Sequence, residues 1–186
     1  CDNVDANTFP IIGTVGFGDI DITEDGSTLH VVNLADRKVY AVDLPGGTGH
    51  TEIANAPWIT VDICGGTVVA RPWALKNHDG KTYVGLVCDG TSSACPASGG
   101  ACSDLTAHVY SHDGSSWTNE ISFPLDYQRS LYRPTASRYW HRWATDYGTI
   151  KSYIDNQTDA QYPQPVLADI EFDSDNSMIL GFIDRS

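Results

Sequence analysis

Apolar and polar positions along this chain fall into one phrase that occurs three times. An apolar strand centred on Asp or Ala runs into an Asp-Gly-type turn, and a second strand rich in Val, Tyr, Leu and Ile follows. The first copy is Gly18-Asp19-Ile20-Asp21-Ile22, the turn Asp25-Gly26, then Leu29 to Leu34. The second is Arg71-Pro72-Trp73-Ala74-Leu75, the turn His78-Asp79-Gly80, then Thr82 to Val87. The third is Leu167 to Phe172, the turn Asp173 to Asn176, then Met178 to Ile183. A single hairpin cannot bury its own apolar face, so a hairpin repeated at long spacing predicts stacked or radial β-architecture. The expectation is an all-β fold of β-propeller-type blades, about three of them visible, with Ile20, Ala74 and Ile170 at equivalent inner-strand positions.

Past the hairpins, Val39 to Leu44 and Leu105 to Tyr110 alternate as partly solvated third strands do, and Trp117 to Phe123 supplies a fourth behind His112-Asp113-Gly114. Phe9 to Val15 reads as the last strand of a preceding blade. The third copy stops at Asp184-Arg185-Ser186, in mid-blade. Residues 1–186 are therefore expected to form one propeller-like domain or a fragment of one. The blades would be completed by the rest of the same protein or by neighbouring subunits, because open sheet edges recruit strands.

Composition narrows the partners. Against 24 acidic side chains there are 11 basic ones, a net charge of -13, and no Lys/Arg run that could follow a phosphate backbone. Nucleic acid and anionic membranes are poor partners for such a chain. No apolar stretch approaches the roughly twenty residues that span a bilayer. Cys95 and Cys102 bound an aperiodic Ser/Gly/Ala segment and lack a paired Cys-x-x-Cys, so a disulfide staple is the more economical reading than a zinc site. Cys64 and Cys88 flank the second hairpin and would form the other bridge, although four cysteines allow three pairings. Cys1 is left over.

The stretches Gly18 to Leu44, Arg71 to Cys88, Ser122 to Tyr127 and Tyr162 to Arg185, in that order, resemble the propeller-like region of large secreted bacterial surface proteins, many of which carry SdrD-type B repeats downstream. The resemblance implies an extracellular or cell-surface protein with a structural, adhesive or assembly role and no catalysis to carry over.

The segment from 129 to 165 departs from that pattern as an inter-blade insertion. It interleaves Tyr139, Trp140 and Trp143 with Arg133, Arg138 and Arg142 on an otherwise acidic chain. Those six residues are the candidate binding surface, for a glycan or protein ligand that would stack on the rings and take forked donors from the guanidinium groups. The competing reading packs the rings over the blades and lets the arginines neutralise nearby carboxylates. Asn156 heads an Asn-x-Thr glycosylation sequon. Asp173, Asp175 and Ser177 form an oxygen-rich turn that would take calcium, against the plainer reading in which Asx side chains accept turn amides. A lactonase-like propeller hydrolase is the runner-up function. It would use Asp19, Asp21, Asp169 and Glu171, which alternate in pairs on one face of their strands, with a divalent metal.

Overall fold

In the computed structural model, residues 7–91, 102–128, 139–155 and 162–185 are described. The chain is all-β in class. Four strands form a first antiparallel meander in the order β1 (Phe17–Ile22), β2 (Thr28–Asn33), β3 (Lys38–Asp43), β4 (Thr51–Glu52). A second meander repeats the order with β5 (Ala70–His78), β6 (Lys81–Asp89), β7 (Leu105–His112) and β8 (Trp117–Pro124). The third unit is the hairpin of β9 (Pro165–Phe172) and β10 (Met178–Asp184). Among the described residues two short helices, α1 (Pro57–Thr60) and α2 (Tyr147–Asp155), lie in the connections, and no described helix is long and apolar enough to cross a membrane.

The turns form where their chemistry demands. Asp79 and Gly80 have φ of 49° and 70°, so both central residues of that turn are left-handed, as a two-residue hairpin matched to strand twist requires. At the longer first turn, the Asp25 carboxylate accepts the Ser27 N–H at 3.0 Å and the Thr23 hydroxyl at 2.7 Å. Phe9–Ile11, expected as a strand, is instead a 3-10 turn, because Pro10 has no N–H to give a ladder and fits the first turn of a helix.

Each first hairpin carries the same irregularity. Phe17 faces Asn33 and Ile20 faces Val31, so Gly18 and Asp19 together oppose Val32. Trp73 and Ala74 likewise share Gly85, and Ala168 and Asp169 share Gly181. Three β-bulges at one place in the repeat make Asp19, Ala74 and Asp169 equivalent, and with them Ile20, Leu75 and Ile170. The expected match of Ala74 to Ile20 and Ile170 is therefore one residue out. The tight turn of the second copy is shorter than the other two, and alignment by turns slips by that residue.

Packing follows from this register. The second sheet is covered on both faces, which is why β6 reads as an unbroken apolar run. Leu75, Val84, Leu86 and Tyr110 meet Val32, Leu34, Val39 and Trp58 of the first sheet and its flanking loop. On the other face Ala74, Tyr83, Val87 and Val109 meet Val166, Leu167 and Ile170 of the third unit.

Candidate functional site

The seam between the first two sheets is built from carboxylates. Asp19 Oδ2 accepts the Leu75 N–H at 3.1 Å, Asp21 Oδ2 the Asn77 N–H at 2.7 Å, and Glu24 Oε1 the Asp79 N–H at 2.7 Å. Numbers rise together on both sides, so β1 and β5 run in the same direction. The remaining oxygens turn inward: Asp19 Oδ1 accepts the Ile20 N–H at 2.8 Å and Asp21 Oδ1 the Ile22 N–H at 2.9 Å. Side chains thus satisfy the free edges of two strands that do not pair through their backbones. Burial raises the Asp19 pKa above the usual aspartate value, and the N–H bonds from Leu75 and Ile20 recover part of that shift.

Glu171 pairs with Lys76 Nζ at 2.9 Å, and that bond raises the lysine pKa. Asp169 lies close enough to Asp19 to push its carboxyl up further. The four acids named as candidate catalytic residues are therefore gathered where β1, β5 and β9 approach one another. Asp19 and Asp21 hold backbone amides with both oxygens, and Glu171 holds an ammonium. Lys76, which completes the cluster, gave no signal in the sequence beyond its place in the repeat.

Between the ends of the first two sheets lies a cleft of about 520 Å³, lined among others by Glu24, His30, Asn77, His78, Lys81 and His112. Its buried side carries His30, Asn77 and Thr82. His30 Nδ1 is 2.8 Å from the Asn77 side-chain amide and 3.1 Å from the Thr82 hydroxyl. The Thr82 hydroxyl donates to Asn77 Oδ1 at 2.9 Å. Asn77 Nδ2 is buried without a partner among the described residues. At the rim, Glu24, His78 and Asp79 bring ligand atoms within 4.8 Å of one another.

The turn expected to take calcium uses its oxygens locally. Asp173 Oδ1 accepts the Ser174 N–H at 2.6 Å and Asp175 Oδ1 the Ser177 N–H at 2.9 Å, while the Ser177 carbonyl accepts the Asp173 N–H. The bonds from the Ser177 hydroxyl and amide lower the Asp175 pKa.

In the aromatic segment, Trp140 and Trp143 are buried in the core between the second and third units. Trp143 donates Nε1–H to the Pro165 carbonyl at 2.7 Å and has two guanidinium groups near its ring, Arg71 at 5.3 Å and Arg185 at 4.6 Å from the ring centre. Tyr139 is half-buried and its hydroxyl accepts from Gln128 Nε2, and Arg142 reaches the Thr91 carbonyl at 3.4 Å. Arg133, Arg138, Asn156, Cys1 and Cys95 lie outside the described residues. Cys64 and Cys88 are joined in a disulfide, and Cys102 is disulfide-bonded as well.

Arg185 is the residue sequence reasoning passed over. It donates to the carbonyls of Phe9, Ile12 and Ala144 and to Gln164 Oε1, at 2.8 to 3.1 Å, and stacks on Phe9. Burial, with Arg71 nearby, lowers its pKa to about 10. One buried guanidinium thus ties the start of the chain to the third hairpin. Arg71, for its part, pairs with the fully buried Asp89 at 2.9 Å.

No known protein family's sequence profile matches the chain, and no solved structure matches it. Colossin-A of Dictyostelium discoideum is 29% identical over 175 residues, which is 91% of this chain and 1% of colossin-A. The chain therefore spans about one hundredth of that relative's length.

Proposed function

We propose that this chain is a run of β-propeller-type blades in a non-catalytic extracellular module with a structural or assembly role. One observation carries the reading: the same bulged hairpin occurs three times, and Leu75 and Ile170 each turn from the equivalent place onto the preceding sheet. Sheets related by a repeated small rotation, with first strands parallel at the centre, make blades. The Cys64–Cys88 disulfide supports an oxidising compartment. The runner-up hydrolase would need carboxylate oxygens open to a metal, whereas Asp19 and Asp21 spend theirs on amides. Labelling intact and permeabilised producing cells with an antibody, followed by non-reducing peptide mapping, tests the role. Surface labelling and a Cys64–Cys88 linked peptide are expected. An intracellular chain with both thiols free would overturn it.

A further inference from the structure

The cleft between the ends of the first two sheets is lined almost entirely by polar side chains. They come from the turns 23–27, 78–82 and 112–114, whose residues are all described, together with His30 and Asn77, and Ile53 is the apolar exception. No residue from either end of the chain lines it. Its volume of about 520 Å³ falls in the range of small-molecule sites, roughly 300–1,000 Å³. The floor holds an amide with one end unused. Asn77 is 9% exposed, its Oδ1 lies 2.8 Å from His30 Nδ1 and accepts the Thr82 hydroxyl at 2.9 Å, and its Nδ2 has no partner among the described residues. Buried polar atoms in folded proteins find a partner, and where the chain supplies none it is water or a ligand group. The terminal torsion of Asn is broad, so a small turn of the amide presents its free end to a group seated on the floor.

Higher in the cleft, groups of both hydrogen-bonding senses have capacity left. The Gly114 N–H donates to His112 Nδ1 at 3.1 Å, which puts the proton of the neutral ring on Nε2 and makes that nitrogen a donor. Burial lowers the His112 pKa and so favours the neutral ring. Glu24 accepts the Asp79 N–H through Oε1, which leaves Oε2 as an acceptor at the rim. Lys81 Nζ stands 3.6 Å from Glu120 Oε1 and keeps N–H donors in reserve.

We infer that this cleft is a binding site for a neutral sugar, with one pyranose ring seated against Asn77, His112 and Glu24. Charge and bonding sense choose the ligand class. An anion would meet Glu24, Asp25 and a net charge of -13. An ammonium group would leave the His112 donor unmatched and face Lys81. A hydroxyl both donates and accepts, so it satisfies the Asn77 amide in either orientation and pairs equally with His112 Nε2–H and Glu24 Oε2. Adjacent hydroxyls on a rigid ring engage several such groups at little cost in ligand entropy. The site is separate from the aromatic segment, where Trp140 and Trp143 are buried in the core. It does not rest on the blade reading, since both of its walls belong to sheets in direct contact.

The test is a titration of the full 186-residue chain, labelled with nitrogen-15, with the methyl glycosides of glucose, galactose, mannose and N-acetylglucosamine, followed by NMR. At least one should bind with a millimolar or lower Kd and shift the Asn77 side-chain amide pair together with the Thr82 and Gly114 backbone signals. Glucuronate and glycine, as anionic and zwitterionic probes, should leave those signals in place. His112→Phe keeps a ring against Trp117 but removes the Nε2–H donor, and should weaken the bound glycoside by at least about fivefold, on the order of one net hydrogen bond. Glu24→Ala, at an exposed position, should do the same and serves if His112→Phe disturbs the fold. No shift with any of these glycosides at tens of millimolar would mean that the cleft holds water alone and would overturn the proposal. So would shifts confined to residues outside the cleft, a stronger response to glucuronate or glycine, or a folded variant that binds as tightly as wild type.

Discussion

Gly85→Ala is the substitution whose sign decides whether the second and third units pack as described. Gly85 is opposite the bulge at Trp73 and Ala74, and a Cβ there would meet Leu167 Cδ2 at 2.7 Å, Leu167 Cγ at 2.8 Å and Ala74 Cβ at 3.0 Å. Carbon atoms settle at about 3.5 to 4.0 Å, and Leu167 and Ala74 are fully buried, so the leucine has no free direction in which to yield. Overpacking of this kind costs about 1–3 kcal/mol. In an ordinary strand the same change would stabilise by about 0.5–1 kcal/mol through the unfolded chain and strand propensity. The expectation is a net loss of about 1–2 kcal/mol in urea unfolding, seen as a lower midpoint at constant slope. Leu167→Ala alone should cost about 2–5 kcal/mol by leaving a cavity. In the double variant the new methyl group enters that space, so the two losses should fall short of their sum by at least about 1 kcal/mol. A Gly85→Ala chain more stable than wild type, or strict additivity, would refute the packing.

Three further outcomes follow from single features. Reducing Cys64–Cys88, which closes a loop with a sequence separation of 24, should lower stability by about 3 kcal/mol in thermal or urea unfolding. Replacing Arg185 by Met should cost on the order of 3 kcal/mol and loosen the segment around Phe9 in hydrogen exchange. Arg185→Lys should not recover this loss, since an ammonium cannot reach four separate acceptors from a planar fork. Asp25 is held down to about 2 from 3.8 by the Ser27 N–H and then the Thr23 hydroxyl. A depressed carboxyl stabilises the fold above pH 3.8 and loses that contribution as pH falls toward 2, so Asp25→Ala should flatten the stability profile in that window.

The parts of this fold that local chemistry writes were legible in the sequence. Asp79-Gly80 marks a tight left-handed turn, whereas Leu105 to Tyr110, which reads as a partly solvated strand, is buried on both faces, with Tyr110 against the first sheet and Val109 against the third unit. The bulges were not legible, because an extra residue in one strand leaves the composition unchanged and shows only in the pairing. Trp140 and Trp143 sit in a stretch without period, and nothing local distinguishes a ring buried under a neighbouring sheet from one presented to a ligand. Arg185 reaches acceptors as far away as Phe9. Asn77 and His30 likewise meet only after the first two sheets have stacked. Asp19 and Asp21 were recognisable as a same-face pair, but their acceptor role depends on a parallel strand supplied by the next copy.

The central claim is that the three units are successive blades set around an axis, not a flat stack. Spin labels at the solvent-facing turn positions Ser27, Lys81 and Ser177, taken in pairs within one chain under dilute, monomeric conditions, measure this directly by electron-electron resonance. Blades predict similar distances for the two neighbouring pairs and a distance from Ser27 to Ser177 clearly shorter than their sum. A Ser27 to Ser177 distance equal to that sum would mean a linear stack and would contradict the account.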